Sequence, residues 1–212
     1  MTTVAVVTAW HNHLELVDGY VRALELGPAP DELIVVDNGS DPWLDFAKVR
    51  NPDNQGFSRA NNQGLAHATS DVVVFLNNDI EATQQGWLET IVDSVEPMVL
   101  VGARIRSDPH TIVDSVVYPY IDGYCLAGTR DDLLELGGFD ESLEEPAYYS
   151  DNLLCLEARA RGFTLREAKV GLIHLVGGTA NNSPDVNGAT RANHQRYQRR
   201  VRALAPKGSA AR

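Results

Sequence analysis

Val72-Val73-Val74-Phe75-Leu76-Asn77-Asn78-Asp79 is an unbroken apolar run that stops at three polar side chains. No polar position alternates with the apolar ones, which is the pattern of a strand covered on both faces in a parallel sheet. The same pattern stands upstream in Leu33-Ile34-Val35-Val36, which stops at the turn sequence Asp37-Asn38-Gly39-Ser40. A β-branched run from Val4 to Val7 precedes Thr8 and Trp10, and Met98 to Val101 reads as a fourth strand. Leu14, Val17, Val21 and Leu24 fall at helical spacing after the first strand and are closed by Gly27, Pro28 and Pro30. A polar stretch from Asn51 to Asn62 leads into Gly64-Leu65-Ala66 before the third strand, and Leu88, Ile91, Val92 and Val95 form an amphipathic helix after it. Strands alternating with helices predict an α/β fold with a doubly wound, mostly parallel sheet and right-handed crossovers. Ligands of such sheets bind beyond the carboxyl ends of the strands, so Thr8, Asp37 and Asp79 are expected to line one site. Taken singly, Asp37 and Asp79 read equally well as caps of their own turns.

The second half is less regular. Thr129 to Leu136 predicts a short helix stopped by Gly137-Gly138, and Ser150 to Arg161 a longer one with Ser150 as N-cap and Gly162 as the closing glycine. Asp151 then lies in the first turn, where the helix end favours an ionised carboxylate. Val170 to Val176 reads as a strand or edge segment holding His174, followed by a Gly177-Gly178-Thr179 loop. Neither an internal repeat nor a linker divides the chain, so a single domain over residues 1–190 is expected, with a separate tail at 191–212.

Composition narrows the function. The 212 residues are 43% apolar and 22% charged, which excludes a disordered or collagenous chain. Apolar runs of four or five residues are far short of the roughly 20 that a membrane-spanning helix needs, and no basic, apolar leader is visible, so a cytoplasmic location is expected. Cys125 and Cys155 form no CxxC pair and read as reduced, buried thiols. The net charge of −11 is uneven: before position 191 there are 11 basic and 29 acidic residues, and from 191 onward seven basic and no acidic ones. An acidic body disfavours nucleic acid as a partner. The basic tail, Arg191, Arg196, Arg199, Arg200, Arg202, Lys207 and Arg212, is either a solvated helix balancing that body or a contact for a membrane surface, a phosphorylated acceptor or an acidic partner subunit.

The chain contains no GxGxxG, no GxxxxGK[ST] and no GxSxG, which argues against dinucleotide oxidoreductases, P-loop enzymes and α/β-hydrolases. Phosphates can also be held through a divalent cation on a few carboxylates, and Asn77-Asn78-Asp79 at a strand end is such a place.

Val36-Asp37-Asn38-Gly39-Ser40, Asn54-Gln55-Gly56-Phe57 with Ala60-Asn61-Asn62-Gln63-Gly64, and Phe75-Leu76-Asn77-Asn78-Asp79 together resemble the nucleotide-sugar half of a family 2 glycosyltransferase of the GT-A fold. Gly123-Tyr124-Cys125-Leu126-Ala127-Gly128, Gly137-Gly138-Phe139-Asp140-Glu141, Tyr149-Ser150-Asp151 and His174 with Gly177-Gly178-Thr179 resemble its acceptor half. The resemblance divides the domain into a nucleotide-sugar-binding half, 1–104, and an acceptor and catalytic half, 105–190. It implies that Asp79 and His174 hold Mn²⁺ or Mg²⁺, with Asn78 facing the sugar or ribose. By the same resemblance Asp37 bonds the base, Thr8 and Trp10 contact and stack on it, and Gly56 and Asn61 lie beside the nucleotide. Asp151 fits the general base of an inverting displacement that moves a sugar from a UDP- or dTDP-sugar to a hydroxyl of a glycan, lipid-linked, protein or nucleobase acceptor.

Two departures from the family pattern stand out. The acidic residues usually flanking the base are replaced in Ser150-Asp151-Asn152-Leu153, so the base works with fewer neighbours or Glu144 or Glu145 substitutes. The metal motif, Asn77-Asn78-Asp79, keeps a single carboxylate. Two other classes fit less of the sequence: a non-catalytic nucleotide-sugar-binding module, and a nucleotidyltransferase.

Overall fold

The computed structural model describes residues 1–143, 148–175 and 186–204. Along the chain the elements are β1 (Val4–Trp10), α1 (Val17–Leu24), β2 (Glu32–Asn38), β3 (Val49–Asn51), α2 (Phe57–His67), β4 (Val72–Leu76), β5 (Ile80–Ala82), α3 (Trp87–Val92), β6 (Val99–Gly102), β7 (Ile105–Arg106), β8 (Ile112–Val113), β9 (Val116–Val117), β10 (Tyr120–Ile121), β11 (Cys125–Thr129), α4 (Arg130–Leu136), α5 (Ser150–Ala160), β12 (Thr164–Glu167), β13 (Leu172–His174) and α6 (Val186–Leu204).

Seven strands form one sheet in the order β12-β6-β11-β4-β1-β2-β3. All are parallel except β11, which runs antiparallel to both β4 and β6. The chain leaves β1 for β2 on one side and returns to β4 on the other, which makes β1 the switch point of a doubly wound sheet. Helices cover both faces. Val6, Trp10 and Val74 pack with Tyr20 and Ala23 of α1 and with Trp87 and Ile91 of α3, whereas Val7, Ile34 and Phe75 pack with Leu65 of α2 and Leu154 of α5. Double coverage is why these strands carry no polar face. On the α2 side the helix sits directly on β1: a Cβ at Gly64 would lie 2.2 Å from Cγ1 of Val7.

Where structure and sequence reading differ, a local cause is visible. The sixth strand starts at Val99, because Met98 is left-handed (φ 60) and donates its N–H to Asp132 Oδ2 at 2.8 Å. The polar stretch begins on the last residue of β3 and contains the first turns of α2. Cys125-Leu126-Ala127-Gly128-Thr129 is a central strand. The N-cap of α5 is the left-handed Tyr149 (φ 93), with Ser150 as the first helical residue, while Gly162 (φ 91) closes the helix as expected. Both cysteines are free and buried. Residues 191–204 of the basic tail belong to α6, which buries Tyr197 and Val201 against the body and so is more than a solvated helix. Among the described residues no helix is long and apolar enough to cross a membrane. Glu144, Glu145, the Gly177-Gly178-Thr179 loop and the tail beyond 204 lie outside the described residues.

Candidate active site

The end of β4 meets β13. Ile80 of β5 pairs with His174 of β13, and the backbone N–H of Leu175 donates to the carbonyl of Asp79 at 2.8 Å. This pairing brings His174 Nε2 to 3.1 Å from Asp79 Oδ1 and 3.2 Å from Asn77 Nδ2. The Asp79–imidazole approach is close but not aligned as a hydrogen bond, so Asp79 Oδ1 is buried without a donor. Asn78 is buried beside it with an unpartnered Nδ2. A carboxylate oxygen and an imidazole nitrogen that face each other without neutralising each other suit a divalent cation that keeps most of its shell for other oxygens. Among the described residues no group of three or more acidic, His or Cys side chains converges, so these two protein ligands would be completed by a substrate.

The turn before β11 connects this pair to Asp151. Tyr124 stacks on the His174 ring, with centroids 4.9 Å apart and planes 14° apart, and its carbonyl accepts from Asn77 N at 2.9 Å. Its neighbour Gly123 donates its N–H to Asp151 Oδ2 at 2.9 Å, and a Cβ there would stand 3.2 Å from that oxygen. Asp151 Oδ1 accepts from Asn152 N at 2.9 Å. Burial raises the Asp151 carboxyl from an ordinary value of 3.8 to about 6. The Gly123 and Asn152 amides pull against that rise and the Asp122 charge adds to it. The expectation that the helix end dominates is thus corrected: desolvation outweighs it, although a group at about 6 is still mostly ionised at neutral pH. Asp122 itself is tied to Arg106 Nη1 at 3.2 Å.

The residues expected around the nucleotide base sit at the ends of β1 and β2 but are turned inward. Thr8 is fully buried, with its hydroxyl 2.5 Å from that of Tyr20. Trp10 is also fully buried, with Tyr20 and Phe46 edge-on to its ring and its indole N–H given to the Asn12 carbonyl at 2.6 Å. It packs here and offers no open stacking face. Asp37 accepts from Ser40 N at 2.9 Å and Leu44 N at 2.8 Å, so both its oxygens hold their own loop, as the capping alternative has it. Gly56 is the left-handed N-cap of α2 (φ 85), bonded to Asn54 Oδ1 at 2.9 Å, and Asn61 turns its amide back to the Phe57 carbonyl. The asparagines of this region brace one another: Asn38 Nδ2 donates to Asn54 Oδ1 at 2.8 Å and its Oδ1 accepts from Asn51 at 3.0 Å. No individual role is expected from the sequence for Tyr124, Asn77 or Asp122: Tyr124 and Asn77 stand inside quoted motifs, and Asp122 stands in none. A separate cleft of about 280 Å³ between α4, α5 and α6, lined by Arg161, Arg196 and Arg200 among others, contains none of the strand-end residues.

Comparison with known proteins defines the class first. The mannosyltransferase PcManGT from Pyrobaculum calidifontis, solved with GDP-Man and Mn²⁺, superposes with a TM-score of 0.64 over 84% of this chain and 58% of that one, at 19% identity. GalNAc-T7, solved with UDP, GalNAc and Mn²⁺, gives 0.68 over 93% of this chain and 47% of that one, at 17% identity. The fold is therefore that of the GT-A glycosyltransferases. Residues 5–122, more than half of the chain, match the family described as Glycosyl transferase family 2. The chain belongs to that family. It is 29% identical over 175 residues to the pre-mycofactocin glycosyltransferase of Mycobacterium tuberculosis, taking in 66% of this chain and 36% of that protein. The chain thus spans about a third of the length of the curated relatives it matches.

Proposed function

We propose that this chain is a metal-dependent, inverting glycosyltransferase that moves a sugar from a UDP- or dTDP-sugar to a hydroxyl of a glycan, lipid-linked or protein acceptor. The observation that carries the proposal is the turn Asp122-Gly123-Tyr124, which touches the Asp79–His174 pair through Tyr124 and Asp151 through Gly123. Donor-side and base-side groups therefore share one scaffold, as attack on an anomeric carbon requires.

Asp79 and His174 would hold the cation, which when bound supplies Lewis-acid stabilisation of the departing diphosphate's charge. Mn²⁺ in both named structural neighbours supports this choice of metal, and GDP-Man in one and UDP in the other support a nucleotide-sugar donor, the uridine nucleotide having its parallel in the second. Asn78 presents an unspent amide N–H beside the pair, suited to a sugar or ribose oxygen. Gly56 and Asn61 border the nucleotide. Thr8, Trp10 and Asp37 shape the base end from beneath, by packing and by fixing the 37–44 loop.

Asp151 takes the proton of the acceptor hydroxyl as that oxygen attacks. Its carboxyl, raised to about 6, is ionised at neutral pH yet basic enough for the transfer. The nearby Asp122 is ion-paired with Arg106, whereas Asp151 among the described residues is held by backbone amides alone, which favours one in-line displacement with inversion over a covalent double displacement.

Nucleoside diphosphate release from a panel of UDP-, dTDP- and GDP-sugars with Mn²⁺ tests the proposal, with Asp151→Asn and Asp79→Ala beside the wild type. Metal-dependent turnover of one donor, lost in both variants, is the expected result. No turnover and no donor-induced shift in melting temperature would favour a non-catalytic module; pyrophosphate release would favour a nucleotidyltransferase.

A further inference from the structure

Tyr149 stands two residues before Asp151 in a backbone conformation that a bulky side chain rarely adopts (φ 93, ψ −1). No side-chain cap holds this end of α5. What holds it is aromatic. Tyr149 is buried, the His194 ring is stacked on it at 5.4 Å and 10°, Tyr197 is tilted against it at 5.5 Å, and His110 meets it edge-on at 6.3 Å. His194, Tyr197 and Val201 recur at helical spacing on one face of α6, and Tyr197 and Val201 join Tyr149, Leu153 and Leu156 in a cluster apart from the two sheet-facing cores.

The basic character of α6 serves the same docking. Arg200 pairs with Glu157 of α5, Arg202 with Asp114 at 3.1 Å, Arg196 with the Ser142 carbonyl, and Asn193 Nδ2 donates to the Tyr148 carbonyl at 3.2 Å. These contacts fall on α5, on the segment just before Tyr149, or on the β8–β9 hairpin.

We propose that α6 is the clamp that positions the general base: His194 and Tyr197 act through Tyr149 to hold the first turn of α5 against Gly123. This rests on the reading of Asp151 as the base. His194 and Tyr197 are positioning residues, and a misplacement of the base by a fraction of an ångström to 1 Å is enough to slow an attack.

The test compares His194→Leu and Tyr197→Leu, which remove the stacking rings, with His194→Phe and Tyr197→Phe, which keep them. Turnover and the ¹³C titration of the Asp151 carboxyl, assigned by its loss in Asp151→Asn, are both followed. The leucine variants are expected to lower kcat roughly 10- to 100-fold with donor KM unchanged, and to shift the Asp151 titration toward that of an ordinary carboxylate. The phenylalanine variants are expected to recover most of both. Leucine variants with wild-type kcat and titration would overturn the clamp, as would a joint loss of kcat, donor binding and melting temperature that phenylalanine does not rescue. A wild type that turns over no donor would overturn the base assignment instead, and the titration would still decide the clamp.

Discussion

At the scale of single residues, Asp151 carries opposing demands. Its carboxyl is raised above its unfolded value of 3.8, so the fold prefers the protonated form; stability from this group is complete at low pH and is lost as pH rises through about 6. The proposed role as general base needs the ionised form. We expect Asp151→Asn to lower turnover roughly 10²- to 10⁴-fold. The stability of that variant relative to wild type should be more favourable at pH 8 than at pH 4, by up to about 3 kcal/mol in denaturant titrations. For the wild type, kcat/KM should climb to a plateau with a limb near pH 6; a limb near 4 would show that burial does not govern the group. Gly123→Ala places a methyl carbon 3.2 Å from Asp151 Oδ2. About tenfold slower turnover with little change in melting temperature is the expected outcome. The sequence located Asp151 by its motif, but its burial depends on a turn 28 residues away, which no local pattern reveals. Trp10 shows the same limit, since its closure depends on Phe46 from the loop after β2.

Among elements, the apolar strands β1, β2 and β4 were legible because two covering layers leave no polar face to interrupt them. β11 was not, because Gly128 and Thr129 at its end and Gly123 in the turn before it look like loop chemistry. The room that Gly128 leaves for Leu100 and Leu133 exists only once β6 and α4 are in place. The entry to β2 is tied to that of β4 by Glu32, whose Oε1 accepts from the backbone N–H and hydroxyl of both Thr69 and Ser70 at 2.7 to 3.0 Å. These bonds lower its carboxyl from 4.5 to about 2, with the Ser70 hydroxyl the largest cause. Its contribution is therefore present above pH 4.5 and lost as pH falls toward 2. Glu32→Gln should cost about 1–3 kcal/mol at pH 7, with the difference shrinking in acid unfolding curves below pH 4.

For the whole molecule, the uneven charge resolves into a basic helix lying on an acidic body, with Arg200 matched to Glu157 and Arg202 to Asp114. On the proposed reading the Asp79–His174 pair gives a cation two protein ligands among the described residues, so metal and nucleotide should bind cooperatively. Calorimetry should find weak Mn²⁺ binding to the protein alone and markedly tighter binding with nucleoside diphosphate present; equal affinities would sink the assignment. The same pair illustrates how far the sequence reached. Asp79 and His174 were found through a family resemblance, since a strand-end motif and a distant histidine have no spacing rule that joins them.

The reversed strand β11 has a consequence for how such a protein can change. Parallel strands deliver to the reactive edge only the segments that leave them, whereas β11 delivers the segment that enters it. The groups at the ends of β1, β2 and β4 thus lie on exits and the turn beside Asp151 on an entrance, so chain ahead of the Asp122-Gly123-Tyr124 turn can change length without shifting the register of β1, β2 and β4. On the proposed reading, a change ahead of that turn is felt first beside Asp151, whereas a change in the turn itself is felt at Asp151 and at the Asp79–His174 pair together.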